Sequence, residues 1–105
     1  MTNAGNSTDG IGFLADLDDL IRQRIIQQSP DSYVASLVAA GDKRLAQKVG
    51  EEAVELAIAV TGGDRAEQSE EAADLLFHLL VLLNAKGIPL ADIASLLEQR
   101  HKSRQ

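Results

Sequence analysis

The amino-acid sequence predicts an all-α protein, a bundle of about five helices. Apolar residues recur at spacings of three and four along most of the chain, and no stretch alternates apolar and polar residues as a half-exposed strand does. Short connections containing Gly or Pro separate the apolar runs, which favours antiparallel packing of neighbouring helices. With 105 residues, 45% of them hydrophobic and 25% charged, the chain has the size and composition of one soluble globular domain.

The first helix is predicted to begin at Phe13, where apolar residues start to recur at helical spacing. Residues 1–12 are rich in Asn, Gly, Ser and Thr, so we expect a disordered leader there and a single all-α domain over residues 13–105. Ser29 and Pro30 are interpreted as the N-cap and first residue of the second helix.

Three further helices are delimited by capping residues and by glycines. Asp42 is expected to cap the third helix and Asp64 the fourth, with a glutamate three residues after Asp64 in the position of a capping box. Pro89 opens an amphipathic fifth helix. The second, third and fourth helices are expected to end at about Ala40, Gly62 and Ala85.

Two acidic clusters lie inside the apolar runs of the third and fourth helices. On a wheel of about 100° per residue, Glu52 and Glu71 border the apolar stripes of their helices, and Glu55 and Asp74 flank them. The stripes are formed by Leu45, Val49, Leu56 and Val60 and by Leu75, Leu79, Leu82 and Leu83. If the stripes pack together, the four carboxylates converge into a site for a hard divalent cation such as Mg²⁺, which points to phosphate chemistry.

The alternative for these acids is a solvated helix face, which suits Glu51, Glu67 and Glu70 best. His78 lies on the flank of Asp74 and is interpreted as a packed histidine bonded to a neighbour rather than as a ligand. Tyr33 is interpreted as a packing residue.

Charge and composition exclude other classes of protein. The net charge of −6 disfavours a nucleic-acid partner, and the absence of cysteine excludes thiolate metal sites. No signal peptide and no apolar stretch long enough for a membrane span is visible, so a cytoplasmic protein without a membrane partner is expected.

The third and fourth helices are apolar on a second face as well, at Val54 and Ile58 and at Phe77, Leu80 and Val81. A helix that is apolar nearly all round is buried on several sides. This pattern favours a homodimer through these two helices, and the alternative is burial by the other helices of the same chain.

Four segments resemble the phosphoribosyl-ATP pyrophosphatase family of histidine biosynthesis. They are SYVASL at 32–37, QKVGEEAVE at 47–55, EAADLLFHLLVLL at 71–83 and the closing Arg100-His101. The resemblance covers about residues 13–101, and the order and spacing of the segments are specific to this family. The pair of Glu-x-x-acid motifs alone is shared with the wider all-α, MazG-like superfamily of nucleotide pyrophosphatases.

The resemblance implies Mg²⁺-dependent hydrolysis of phosphoribosyl-ATP to phosphoribosyl-AMP and pyrophosphate by a homodimer or a dimer of dimers. It implies Glu52, Glu55, Glu71 and Asp74 as metal ligands and Lys48 as a contact of the triphosphate. Relatives fused to phosphoribosyl-AMP cyclohydrolase suggest a functional link to that enzyme, and a chain of this length is expected to be the stand-alone form.

The remaining roles at the site are hypotheses. Glu51 or Glu55 is the candidate general base, and Lys48 stabilises developing charge or pairs with a glutamate one turn away. Three further cations are candidate phosphate contacts or merely solvated helix ends: Lys43, Arg44 and Arg100.

Two other functions remain open from the sequence. One is a housekeeping pyrophosphatase of the MazG or dimeric dUTPase type that removes noncanonical nucleoside triphosphates. The other is a non-enzymatic helical dimerisation module whose acidic residues are only solvated and bind no metal.

Overall fold

The computed structural model describes residues 6–104, with side chains from residue 10 onward, and shows five helices joined by short turns. The described part of the chain contains no strand, so the predicted all-α class is confirmed. The helices in chain order are α1 (Asn6–Gln27), α2 (Tyr33–Ala39), α3 (Asp42–Gly62), α4 (Arg65–Ala85) and α5 (Leu90–Ser103).

Helices α3 and α4 form an antiparallel hairpin, which is the most extensive helix pair of the fold. Its turn is tight because a Cβ atom at Gly63 would lie 2.9 Å from the carbonyl oxygen of Ala59, which only glycine avoids. Asp64 then caps α4 as predicted, since its Oδ1 accepts from the N–H of Glu67 at 2.8 Å. At the far end, Lys86 Nζ lies 2.6 Å from Asp42 Oδ2 and ties the end of α4 to the start of α3.

The line along which α3 packs against α4 is called the seam. Along it the buried residues of α3 recur every two turns. The three buried residues of α3 are Leu45, Glu52 and Ala59, at intervals of seven residues. The predicted stripe is wrong at its last position, because Val60 is 60% exposed and Ala59 takes its place. The small Ala59 lets α4 approach closely enough for Gln68 Nε2 to donate to the Ala59 carbonyl at 3.3 Å.

The hydrophobic core lies where α1, α2 and the start of α3 pack against α4. It contains Ile21, Val34, Leu37, Leu45, Leu80 and Val81. The second apolar face of α4 is therefore covered within the chain, as the alternative interpretation allowed. The second face of α3 is not, because Val54 is 58% and Ile58 is 64% exposed.

Three predicted helix starts differ from the structure. Residues 1–5 of the expected leader lie outside the described residues, but residues 6–12 belong to α1, because extending a nucleated helix costs little. The N-cap of α2 is Ser32 rather than Ser29, since the Ser32 hydroxyl accepts from the N–H of Ala35 at 3.2 Å. Asp42 is the first residue of α3, whose N-cap is Gly41 at φ 100°, a backbone conformation that favours glycine. The division into leader and domain remains a prediction.

Helix α5 is attached to the bundle by a buried carboxylate that the sequence did not reveal. Asp18 of α1 accepts from Asn84 Nδ2 at 2.7 Å and from the backbone N–H of Leu90 at 3.2 Å, and Arg22 donates to it at 2.6 Å. Because Pro89 precedes α5 and offers no side-chain cap, Asp18 serves as the N-terminal cap of that helix from a distant part of the chain.

No single helix within residues 6–104 is long and apolar enough to cross a membrane; α4 and α5 pass that test only together, with a bend of 103° between them.

We predict that Asp18→Ala lowers the free energy of unfolding by about 2–3 kcal/mol, because it removes the acceptor of the partly buried Leu90 N–H and one of the two acceptors of the buried Asn84 amide. The matched control is Asp19→Ala, which removes an exposed carboxylate that pairs with the same Arg22. That change should cost less than about 0.5 kcal/mol. Urea unfolding measures both values, and equal values for the two variants would contradict the capping role of Asp18.

Candidate active site

Four acidic side chains gather along the α3–α4 hairpin, and Glu52, which the wheel places at the margin of the apolar stripe, is buried within it. Glu52 lies in the seam and is 5% exposed. Glu71 is half-buried in α4, and it interacts electrostatically with Glu55, Asp74 and Glu52. Glu55 and Asp74 are exposed at the flanks of the seam. The hairpin therefore brings acids from two helices to one place.

The gathered charges act most strongly on Glu71. Burial raises the pKa of the Glu71 carboxyl above its ordinary value of 4.5, and the negative charges of Glu55, Asp74 and Glu52 raise that pKa further. A hydrogen bond between Glu71 and Glu55 adds to the same shift. One oxygen of Glu71, Oε1, is buried without a hydrogen-bond partner in the described part of the chain. A buried carboxylate oxygen of this kind is unfavourable unless a hydrogen-bond donor or a cation satisfies it.

His78, which the sequence analysis assigned to packing, contacts two of these acids, Asp74 and Glu52. Buried His78 bonds the backbone carbonyl of Asp74 through Nδ1 at 2.8 Å, and the same nitrogen lies 3.2 Å from Glu52 Oε1. Its other nitrogen, Nε2, lies 2.8 Å from the hydroxyl of Tyr33. The expectation of a packed histidine bonded to neighbours is thus confirmed.

Two cationic side chains of α3, Lys48 and Arg44, lie near the acids but differ in their partners. Lys48, half-buried, lies one turn before Glu52, and within residues 10–104 it forms no ion pair, so the alternative role, a pair with a glutamate, is not formed. Arg44 lies 3.9 Å from Glu51, whose other oxygen accepts from Gln47 at 3.2 Å. Glu51 is therefore occupied by neighbours on its own helix and exposed to solvent.

The other two candidate cations lie further from the acids. Lys43 is exposed in the first turn of α3, about 13 Å along the helix axis from Glu52 at 1.5 Å per residue. Arg100 is exposed on α5, a helix that makes no contact with α3 within the described chain.

The donor set suits a hard cation by chemistry, since all four side chains offer carboxylate oxygens and one of these oxygens is buried without a partner. Between residues 6 and 104, however, no three His, Cys, Asp or Glu side chains are arranged to hold a metal ion as they stand. Because Glu55 and Asp74 are exposed, their side chains are free to turn toward a bound ion. The residues therefore fit a metal whose full coordination forms on binding.

An all-α bundle with carboxylates clustered on its central hairpin has the features of a helical pyrophosphohydrolase. The family model described as phosphoribosyl-ATP pyrophosphohydrolase matches residues 14–101, which is most of the chain. The chain belongs to this family and is a hydrolase.

Similar proteins agree with the family model. The chain is 51% identical over 89 residues to the phosphoribosyl-ATP pyrophosphatase of Pyrobaculum arsenaticum, covering 85% of this chain and 95% of that protein. It is 52% identical over 87 residues to the phosphoribosyl-ATP pyrophosphatase of Methylobacterium nodulans, covering 83% of this chain and 81% of that protein.

A longer relative is the histidine biosynthesis bifunctional protein HisIE of Vibrio cholerae, 49% identical over 90 residues. The match covers 86% of this chain but only 43% of that protein, so this chain spans less than half of the bifunctional relative.

The raised pKa of Glu71 predicts a pH dependence of stability. The folded state holds the Glu71 proton more tightly than the unfolded chain, so the free energy of unfolding falls as pH rises from 4.5 through the raised pKa. We predict that Glu71→Gln, which removes this repulsion, raises the melting temperature at about pH 7 without divalent metal. The gain should shrink at about pH 4, where the wild-type carboxyl is protonated in both states.

The control for this comparison is Glu70→Gln, which neutralises the exposed neighbour on the same helix. It should leave the melting temperature nearly unchanged at both pH values. A Glu71→Gln variant that melts below the wild type at pH 7 would contradict mutual repulsion within the acidic cluster.

Proposed function

We propose that this chain hydrolyses phosphoribosyl-ATP to phosphoribosyl-AMP and pyrophosphate with Mg²⁺, the second step of L-histidine biosynthesis. The observation that carries the proposal is the unpartnered Oε1 of Glu71 beside three other carboxylates. Such a cluster is unfavourable by itself and becomes favourable when a divalent cation neutralises it. The substrate is inferred from the family and from the names of the relatives.

Glu52, Glu55, Glu71 and Asp74 are the proposed metal ligands. Glu52 and Glu71 lie along the seam and supply fixed oxygens, whereas the exposed Glu55 and Asp74 can adjust to the incoming ion and phosphate. Mg²⁺ bound there would neutralise charge on the phosphates and lower the pKa of water near them.

Between the two candidate general bases, the contacts favour Glu55. Glu55 lies close enough to Glu71 to act on it electrostatically and is exposed, so one of its oxygens can face a water at the acidic cluster. Glu51 is engaged by Arg44 and Gln47 on the outer side of α3. We therefore assign proton acceptance from the attacking water to Glu55.

Lys48 is the proposed contact of the substrate's triphosphate. It lies one turn from Glu52 on the same flank as Glu55, and no carboxylate within residues 10–104 neutralises it. A free ammonium beside the carboxylates stabilises negative charge on a phosphate that spans from the metal to the helix flank. Lys43, Arg44 and Arg100 remain candidates for more distant phosphate groups.

We predict that Glu52→Gln and Glu71→Gln each reduce kcat/KM for phosphoribosyl-ATP by on the order of 100-fold or more, since metal neutralisation of charge is worth several kcal/mol in the transition state. Pyrophosphate release measures the rate. Glu70→Gln is the matched control, because it removes an exposed carboxylate of α4 and should keep near-native activity. A folded Glu71→Gln variant with near-native activity would refute the metal site.

Substrate competition separates this function from the alternatives. A housekeeping pyrophosphatase would hydrolyse dUTP or other nucleoside triphosphates at least as well as phosphoribosyl-ATP. A dimerisation module without enzymatic activity would show no change in melting temperature with millimolar Mg²⁺.

We also propose that the chain forms a homodimer, or a dimer of dimers, through the outer face of α3. Val54 and Ile58 lie one turn apart there, are more than half exposed, and are not covered by any of the five helices within residues 6–104. The corresponding face of α4 lies against α1 and α2, so α3 carries more of the proposed interface than the sequence suggested. Burial of this apolar face by a second copy removes it from water.

We predict that Val54→Glu shifts the protein toward monomer, because a charge at the centre of an apolar interface costs more than the contact gains. Sedimentation velocity over a range of concentrations measures the shift. The control is Ile26→Glu on α1, because Ile26 is 74% exposed, more than Val54, and lies on a helix that makes no contact with α3 within the described chain. Equal sedimentation of the Val54→Glu variant and the wild type would remove this face from the interface.

A cytoplasmic location and a functional link to phosphoribosyl-AMP cyclohydrolase complete the proposal. The link is supported by the bifunctional histidine-biosynthesis relatives, of which this chain matches one part.

A further inference from the structure

We infer that Tyr33 and His78 form a two-link brace that positions the carboxylate of Glu52. The brace runs from the Tyr33 hydroxyl to His78 Nε2 at 2.8 Å and from His78 Nδ1 to Glu52 Oε1 at 3.2 Å. It joins α2 and α4 to the acid in α3. The inference rests on the proposed metal role of Glu52 but not on the identity of the substrate.

The contacts at His78 fix which ring nitrogen carries a proton. Nδ1 lies 2.8 Å from the Asp74 carbonyl oxygen and 3.2 Å from Glu52 Oε1, so both neighbours favour a hydrogen on Nδ1. In the neutral ring Nε2 is then an acceptor, and the hydroxyl of Tyr33 is its donor. Tyr33 therefore stabilises the tautomer in which the ring nitrogen beside Glu52 carries the hydrogen; that N–H donates to the Asp74 carbonyl, and its partial positive charge lies against the Glu52 carboxylate.

Glu52 depends on that N–H because of where it is buried. A carboxylate that is 5% exposed needs a hydrogen-bond donor or a cation, and its other neighbours in the seam include the acidic Glu71. His78 supplies the positive end of a dipole to one oxygen of Glu52 without neutralising the group. The carboxylate stays oriented and remains available to a cation.

His78 also links two proposed ligands with one ring. The same Nδ1 that lies against Glu52 is anchored on the backbone of Asp74, one turn earlier in α4. Partners of this kind, which orient ligands without binding the metal, typically change metal affinity by about 10- to 100-fold when they are removed. His78 and Tyr33 are thus positioning residues rather than catalytic ones.

Tyr33 suits this role because its ring is partly exposed while its hydroxyl reaches into the protein interior. The residue is 53% exposed, yet its hydroxyl reaches a buried histidine, and its ring stacks on Phe77 at a centroid distance of 6.2 Å. The stacking holds the ring whether or not the hydroxyl is present. Removing the hydroxyl alone therefore tests the brace with little change in packing.

The experiment compares Tyr33→Phe with the wild type by two measurements on the intact chain. Ring ¹⁵N NMR reports the tautomer of His78 without any metal, and the signals are assignable because the sequence has 2 histidines and His101→Gln leaves one. Titration with Mg²⁺ alone, followed by calorimetry, reports metal affinity. We expect Tyr33→Phe to increase the Nε2–H tautomer and to weaken Mg²⁺ binding by about 10-fold.

Ser36→Ala is the matched control, because it removes another hydroxyl of α2, which donates to the backbone carbonyl of Tyr33 and makes no bond to His78. It should change neither the tautomer nor the Mg²⁺ affinity by more than about twofold. His78→Asn, which keeps an N–H near the position of Nδ1, should bind Mg²⁺ more tightly than His78→Leu, although both disturb packing. An unchanged tautomer and affinity in Tyr33→Phe, or an equal loss of affinity in Ser36→Ala, overturns the inference.

A failure of the proposed function is distinguished from a failure of the brace by the Mg²⁺ affinity of Glu52→Gln. If Glu52→Gln binds Mg²⁺ as tightly as the wild type, Glu52 is not a metal ligand and the proposed centre is wrong. The tautomer measurement is made without metal and decides separately whether Tyr33 and His78 act together.

Discussion

A carboxylate buried between two helices is the constraint on which the rest of this structure depends. Glu52 occupies the middle of the three seam positions of α3, where a helical hairpin of this kind ordinarily places an apolar side chain. The buried charge of Glu52 is tolerated because His78 Nδ1 lies 3.2 Å from Glu52 Oε1. This contact holds the acid against α4. The apolar residues before and after Glu52 in the repeat keep the two helices together around it.

This arrangement makes the acidic side of the hairpin a source of instability that the rest of the fold offsets. Glu71 has a raised pKa because burial and three other acids act on it, and the C-terminal half of α4 carries Leu80 and Val81 in the fully buried core. The same helix thus anchors the bundle in its C-terminal half and holds repelling charges in its N-terminal half. Functional residues typically lower the stability of the folded state in this way, because selection retains them for binding rather than for stability.

The sequence predicted much of this because the signals are local. Helix number, the Asp64 cap and the acidic pairs follow from spacings of three and four residues along single helices. Val60 was misplaced by one residue, because a wheel cannot show that close approach of α4 favours the smaller Ala59. The N-cap of the second helix was placed three residues early, at Ser29, because a serine followed by proline is typical of a helix start.

Other features depend on contacts between residues far apart in the chain, which no local pattern reports. Asp18 bonds Asn84 and Leu90, and in the sequence it is one acid among several on an apparently amphipathic helix. The hydroxyl of Tyr33 meets His78 across 45 residues. The sequence indicated that His78 was packed, but the direction of its ring and the acid it faces required the fold.

The attachment of α5 has a consequence for how the molecule opens. No residue of α5 is buried, and the helix contacts only α1 and α4, so little apolar surface holds it in place. Leu90 packs against the core, and the carboxylate of Asp18 bonds the Leu90 N–H. Helix α5 therefore belongs to the low-stability end of the structure, and its amides should exchange with solvent through partial openings that leave the α3–α4 hairpin closed. One side chain on α1 thereby contributes to whether the last helix unfolds with the domain or ahead of it.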